Sequence, residues 1–269
     1  SLTSLYPPNK QFLHRDKEIQ DIMLNLAPIM SSQKASNFFT YGATGTGKTA
    51  ILRSKLEELE QACKEEKIVF TWAYVNCAEA ISGTNSLLKI CKQISPNPEK
   101  IMYGHQWGYV TSLFETLMRE ITNLVIVLDE VDKLIELEGD KLLYYLTRLK
   151  DQQKLQDKNV CVIMISNNVN VPNMLSPRTE SSFGKLKVEF FSYDAEQLRD
   201  IIEQRIKDTG ISNRIGEGVV SRIAAFGAQL HGNARQTLEL LKNCYLTCKK
   251  GQKISIDFVA ETYEKMEHD

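Results

Sequence analysis

Gly42-Ala43-Thr44-Gly45-Thr46-Gly47-Lys48-Thr49 fits the spacing G-x-x-x-x-G-K-[ST], and that spacing is a means of holding polyphosphate. Glycines let the backbone curl with its N–H groups inward, where a Cβ would obstruct an anion. Lys48 would reach the β- and γ-phosphates, and the Thr49 hydroxyl would ligate Mg2+. The flanks agree: residues 37–41 (NFFTY) read as a buried strand, and Ala50 onward reads as a helix. The segment from Gly42 to Ala50 is then a strand–loop–helix junction. Its helix turns unpaired N–H groups and the positive end of its dipole toward the same anion. A glycine loop that only reverses the chain has no use for Lys48-Thr49 at this spacing. The expectation is a bound nucleoside triphosphate with Mg2+.

A second constellation lies downstream. Leu124-Val125-Ile126-Val127-Leu128 is an unbroken aliphatic run ending in Asp129-Glu130-Val131-Asp132. Such a run suits a central parallel strand buried on both faces. Ligands of parallel sheets bind at the carboxyl ends of the strands, so both acids would emerge beside the phosphate loop. Asp129 would hold Mg2+ through a water, and Glu130 would polarise the attacking water and accept its proton. A third run, residues 160–165 (VCVIMI), ends in Ser166-Asn167-Asn168. A carboxamide there, donor and acceptor at once, could bond both the γ-phosphate and that water. An Asn that merely ends a strand in a turn is the plainer reading of the same residue.

To position these groups the chain must supply a sheet. Two further strands read at residues 68–75 and 187–191. Helical patterns run over residues 49–66, 106–121 and 140–149. Alternating strands and helices predict an α/β, three-layer αβα domain on a five-stranded parallel sheet. After Phe191 the strand signal stops. Asp194-Ala195-Glu196-Gln197 reads as a capping box opening a helix to about Lys207. Helices at roughly 216–226, 234–249 and 257–265 complete a small all-α unit. The predicted division is 1–192 for the nucleotide-binding domain and 193–269 for the helical lid, with a hinge near Ser192-Tyr193.

Composition sets outer bounds. The 269 residues carry 33 Lys plus Arg against 34 Asp plus Glu, so no global basic field advertises nucleic acid. Any DNA contact must come from a local patch or from a part outside these residues. No apolar run approaches the length of a membrane span, so no membrane partner is expected. Six cysteines, without a C-x-x-C pair, read as reduced and mostly buried thiols of a cytosolic protein. Cys244 and Cys248 stand one helical turn apart, but no second pair has metal-ligand spacing.

The chain resembles the archaeal origin-recognition/cell-division-cycle (Orc/Cdc) type DNA replication initiators, which are AAA+ ATPases. The resemblance is carried by residues 42–50 (GATGTGKTA), 74–77 (YVNC), 128–134 (LDEVDKL), 165–167 (ISN), Pro177-Arg178 with Ser181-Ser182, 193–198 (YDAEQL) and 232–235 (GNAR). It implies that Asn167 is the first sensor and that Arg235 is the second sensor, reaching the γ-phosphate from the lid. It implies that Arg178 is an arginine finger offered to a neighbouring subunit. Many relatives carry a second arginine where this chain has Ser182. Phe12-Leu13-His14-Arg15 is similar to the adenine-pocket segment, with Leu13 in place of the usual proline. That places His14 and Arg15 at the nucleotide and makes the ligands ATP and ADP.

The resemblance also implies partners: double-stranded origin DNA, other AAA+ initiator subunits and the replicative helicase. It implies slow hydrolysis that resets a switch, and a cytoplasmic, nucleoid-associated location, or a nuclear one in a eukaryote. Family members carry a winged-helix DNA-binding domain after the lid, and these 269 residues end before one could form. They also insert a DNA-touching helical element after the second strand. Here that is residues 80–93, with Lys89 and Lys92. Two lysines can equally be a solvated helix face. Two other readings of the chain stand beside the initiator: a clamp loader or helicase loader outside this branch, and a nucleotide-binding scaffold that no longer hydrolyses. The full set Lys48, Thr49, Asp129, Glu130 and Asn167 argues against the scaffold.

Overall fold

A computed structural model describes residues 11–102, 104, 106–149, 155–184, 186–249 and 251–268. Residues 1–10, at the head of the expected first domain, lie outside the described residues. The chain forms two compact units. One gathers residues 18–41 and 52–189; the other gathers residues 11–17, Gly42–Ile51 and everything from Phe190 onward. The phosphate loop therefore groups with the carboxyl-terminal helices rather than with the bulk of the sheet.

Five strands, β1 (Phe38–Gly42), β2 (Phe70–Asn76), β3 (Asn123–Asp129), β4 (Asn159–Ser166) and β5 (Lys187–Phe190), make one sheet of order β2-β3-β4-β1-β5. The pairs β2–β3, β3–β4 and β1–β4 run parallel. β3 is buried along its whole length and β4 at all but its first residue. That is why both read as continuous aliphatic runs rather than alternating ones. Phe39, Val75, Ile126, Leu128 and Met164 meet Leu87, Phe114, Leu134 and Leu143 in one core. Register pairs Asn76 with Asp129 and Tyr41 with Ser166, so the polar ends of the strands share one edge of the sheet. The opposite edge is pinned by asparagines. Asn159 Nδ2 donates to Asn123 Oδ1 (3.0 Å), and Asn37 Oδ1 accepts from Val162 N (2.8 Å).

Helices α1 (Asp16–Leu26), α2 (Lys48–Glu65), α3 (Cys77–Ala80), α4 (Gly83–Ile94), α5 (Trp107–Leu117), α6 (Val131–Glu138), α7 (Lys141–Thr147) and α8 (Pro177–Glu180) accompany the sheet. Three differ from the sequence reading. The single helical element expected at 80–93 is broken at Ile81, whose φ of +67° leaves the helical region. Asn76 caps α3 through Ala78 N and Glu79 N, and Ser82 caps α4 through Asn85 N. Two strong N-caps six residues apart start two helices. α6 follows β3 after a single turn residue, Glu130, which takes a left-handed conformation, φ +51°. α1 is short, with Glu18, Ile22 and Leu26 spaced four apart as its buried side. No helix among the described residues is long and apolar enough to cross a membrane.

The other unit holds α9 (Ala195–Thr209), α10 (Val219–Gln229), α11 (Ala234–Thr247) and α12 (Ile256–His268). The capping box is present: Gln197 N donates to Asp194 Oδ1, and Asp194 N donates to Gln197 Oε1. Leu198, Ile202, Ile223, Leu241 and Val259 form its core. The helix expected from 216 begins at Val219 instead. Gly216 N is spent on Ile254 O, and Gly218 is left-handed, so the chain cannot coil before Val219. All six cysteines are free and buried.

Candidate functional site

The phosphate loop is curled by its glycines. Gly42 and Gly45 have φ of +146° and +78°, a region L side chains rarely adopt. Each is also hemmed in. A Cβ on Gly42 would run into the Phe190 carbonyl, and one on Gly45 into the Asn233 carboxamide. Lys48 is buried, and its Nζ donates to Gly42 O and Ala43 O, both at 2.8 Å. Thr46 Oγ1 donates to Ala43 O at 2.8 Å. The loop carbonyls are thus drawn onto its own lysine and threonine. Ile51 N bonds Gly47 O (2.9 Å) in the first turn of α2, which begins with Lys48-Thr49.

The helical segment of the same unit meets this loop. Asn233 caps α11, its Oδ1 accepting from Gln236 N at 3.1 Å and its Nδ2 donating to Gln236 Oε1 at 3.0 Å. Two residues on, Arg235 is exposed in the first turn of α11 and makes no hydrogen bond or ion pair among the described residues. A cation at the positive end of a helix costs about 0.3–1 kcal/mol. That placement fits an anion binder better than a structural residue.

Arg15 is buried. Its Nε donates to Tyr193 OH (2.9 Å), Nη2 donates to Phe191 O (2.6 Å), and the guanidinium lies 3.9 Å over the Tyr193 ring. His14, at φ +58°, puts Nε2 2.8 Å from Asp200 Oδ2 on α9. His14 and Arg15 are therefore both clamped to the start of the helical segment, a role that spacing alone did not reveal. Tyr193, also missed as a site residue, is the pivot. Its hydroxyl also neighbours Gly47 of the loop.

The acidic constellation belongs to the larger unit. Asp129 is buried; Oδ1 accepts from Glu130 N (2.9 Å) and Oδ2 from Tyr74 OH (2.8 Å). Glu130 is half-buried at the sheet edge. Burial, reinforced by the charge of Asp129, pushes the neighbouring Cys77 thiol up to about 12. Asp132 is buried too. Ser166 Oγ donates to its Oδ1 (2.5 Å) and accepts from Asn168 N (2.9 Å). Asn167, exposed, sits between the two residues this network fixes. Sequence reasoning quoted Tyr74, Asp132 and Ser166 within their motifs but gave them no task. The signal available was their place at the carboxyl ends of β2, α6's first turn and β4. Asp129 in this unit and Thr49 in the other each carry a hard oxygen donor of the kind Mg2+ accepts.

Arg178 is exposed on α8, and its side chain makes no hydrogen bond or ion pair among the described residues. The helix is anchored at its start, where Ser176 N and Oγ both donate to Asp140 Oδ2 (2.8 and 2.6 Å). Burial alone would raise the Asp140 carboxyl, but its bonds with Ser176 and Thr179 outweigh that and hold it below the usual carboxylate range. On the inserted element, Lys89 lies 4.0 Å from Glu79.

Comparison with known proteins places this geometry. The AAA domain family matches residues 31–175, and the Cdc6 AAA+ ATPase-type lid domain matches residues 199–262. ORC1-type DNA replication protein 1 of Archaeoglobus fulgidus is 34% identical over 237 residues, 88% of this chain and 57% of that protein. The ORC1-type DNA replication protein of Pyrococcus furiosus is 33% identical over 271 residues, 98% of this chain and 63% of that protein. This chain thus spans about three-fifths of the length of these curated relatives. The Aeropyrum pernix Orc1 protein, solved in complex with DNA, superposes with a TM-score of 0.84 at 28% identity, covering 100% of this chain and 69% of that one. With a parallel αβ sheet, a glycine-rich loop before α2 and a lid of this type, the chain belongs to the AAA domain family and carries a Cdc6 AAA+ ATPase-type lid domain.

Proposed function

We propose that this chain is the ATP-binding and slowly hydrolysing module of a replication initiator that recognises origins and helps load the replicative helicase. The observation that carries the reading is the seat of Asn233 against Gly45, which brings the first turn of α11, with Arg235, to the phosphate loop. Gly42 to Ala50 would cradle the phosphates of ATP or ADP, with Lys48 leaving its loop carbonyls for the β- and γ-oxygens. Thr49 and Asp129 would hold Mg2+, whose charge would offset that of the phosphates. Glu130 would take the proton of the attacking water, and Asn167 would orient that water. Arg235 would sense the γ-phosphate from the lid, and Arg178 would reach the nucleotide of a neighbouring initiator subunit. His14 and Arg15 would border the adenine, Arg15 from its seat on Tyr193 and His14 from its pairing with Asp200. Residues 1–192 and 193–269 would move as nucleotide-binding domain and lid.

Double-stranded DNA would be the partner by likeness to the Aeropyrum protein, with the helicase contacted in the assembled state. The setting would be the nucleoid of the cytoplasm, or the nucleus in a eukaryotic cell. The test is the melting temperature with Mg-ATP, Mg-ADP and Mg-GTP, with and without duplex DNA. A ligand at a hundredfold its Kd adds about 2.7 kcal/mol. An adenine-selective rise supports the nucleotide reading, and a further rise with DNA supports the initiator. Equal response to GTP, or none after nucleotide extraction, overturns it.

A further inference from the structure

We infer that Tyr74 is a positioning residue for the Mg2+-binding carboxylate of Asp129. The inference rests on Asp129 being a metal ligand, as proposed above. Tyr74 is held from three directions. Its hydroxyl donates to Asp129 Oδ2 at 2.8 Å. Its ring lies under the Arg53 guanidinium, 4.3 Å from the centroid. Its backbone, on the outer edge of the sheet, is bracketed by one carboxamide: Tyr74 N donates to Gln93 Oε1 (2.9 Å), and Gln93 Nε2 donates to Tyr74 O (2.8 Å). Edge strands need such cover, and here α4 supplies it at the residue that grips the acid.

The consequence for Asp129 is geometric. A carboxylate has about four acceptor sites. Glu130 N takes one on Oδ1 and Tyr74 OH takes one on Oδ2. That fixes the rotation of the group. A strand-end tyrosine that only satisfied its own hydroxyl would not need to be braced by a stacked arginine. Arg53 comes from α2, four residues after Thr49 and so on the same helix face. One tyrosine is therefore gripped by Arg53 of α2 while it grips the aspartate ligand. Partners that orient metal ligands typically govern affinity by 10–100-fold.

The test is Tyr74→Phe, which keeps the ring, its stacking and the strand, and removes only the hydroxyl. Mn2+ uptake by the ADP complex is titrated by electron paramagnetic resonance, beside ADP affinity in EDTA and the melting temperature. The expected result is Mn2+ affinity about tenfold weaker, with ADP affinity in EDTA and the melting point unchanged. Gln93→Leu should weaken Mn2+ in the same direction by a smaller factor. Equal Mn2+ affinity in wild type and Tyr74→Phe overturns the role of Tyr74 while leaving Asp129 as ligand. So does a loss of ADP affinity in EDTA that matches the loss of Mn2+. A wild-type ADP complex that takes up no Mn2+ sinks the metal-site reading and this inference with it.

Discussion

The carboxamide of Asn233 fills the space that a side chain on Gly45 would need. The middle glycine of the phosphate loop is thus fitted to the N-cap of α11, and the loop and helix cannot be altered independently. Gly45→Ala should be destabilising on two counts, the left-handed φ and the collision with Asn233. We expect a loss of about 1–3 kcal/mol in urea unfolding. Asn233→Ala in that background should relieve the collision but lose the cap, itself worth about 1 kcal/mol. The double variant should therefore fall short of the sum of the singles, which a double-mutant cycle reads directly.

Arg235 sits where a cation is unwelcome, in the first turn of α11. Arg235→Ala should raise the stability of the nucleotide-free chain by about 0.3–1 kcal/mol, since it removes charge from the positive helix end. The same variant should bind ATP and ADP alike, where the wild type distinguishes them. Calorimetric titration of both nucleotides, beside thermal melts, checks the two signs together. A variant that is less stable yet keeps its ATP-to-ADP ratio would remove Arg235 from the sensing role.

Glu130→Gln is the cleanest separation of binding from turnover. Glutamine keeps the shape, the left-handed backbone and the N–H that Glu130 gives to Asp129 Oδ1. It cannot take a proton. ATP affinity should be within about twofold of wild type, while single-turnover hydrolysis falls by about 10²–10⁴. Unchanged hydrolysis would move the base elsewhere.

These expectations were legible in the sequence to different depths. β3 and β4 could be placed because a strand buried on both faces has no polar alternation to confuse it. The phosphate loop could be placed because glycine and lysine at fixed offsets have few other uses. α6 could not, since its start depends on Glu130 adopting φ +51°, which no periodicity encodes. Nor could the break at Ile81, set by two N-caps competing over a short stretch. Residues that act through others were hardest. Tyr74, Ser166 and Tyr193 carry ordinary side chains, and their tasks come from partners 55, 34 and 178 positions away. A linear pattern holds no record of such pairs.

The anchoring of α8, and with it Arg178, should respond to acid. Asp140 accepts from Ser176 N and Oγ, and its carboxyl is held below the usual range in the folded chain. A depressed carboxylate contributes stability that is fully present above its unfolded pKa, about 3.9, and is lost as pH falls through the lower folded value. The loss should therefore fall below about pH 4. Because the group is largely solvated, the contribution should be modest, about 1 kcal/mol or less. Asp140→Asn keeps an acceptor for Ser176 but abolishes the titration. Urea unfolding of both proteins from pH 3 to pH 7 should show a constant gap above pH 5 that closes toward pH 3. The gap closes because the wild type loses the contribution, not because the variant gains any. A gap that persists to pH 3 would show that the charge of Asp140 is not what secures the helix.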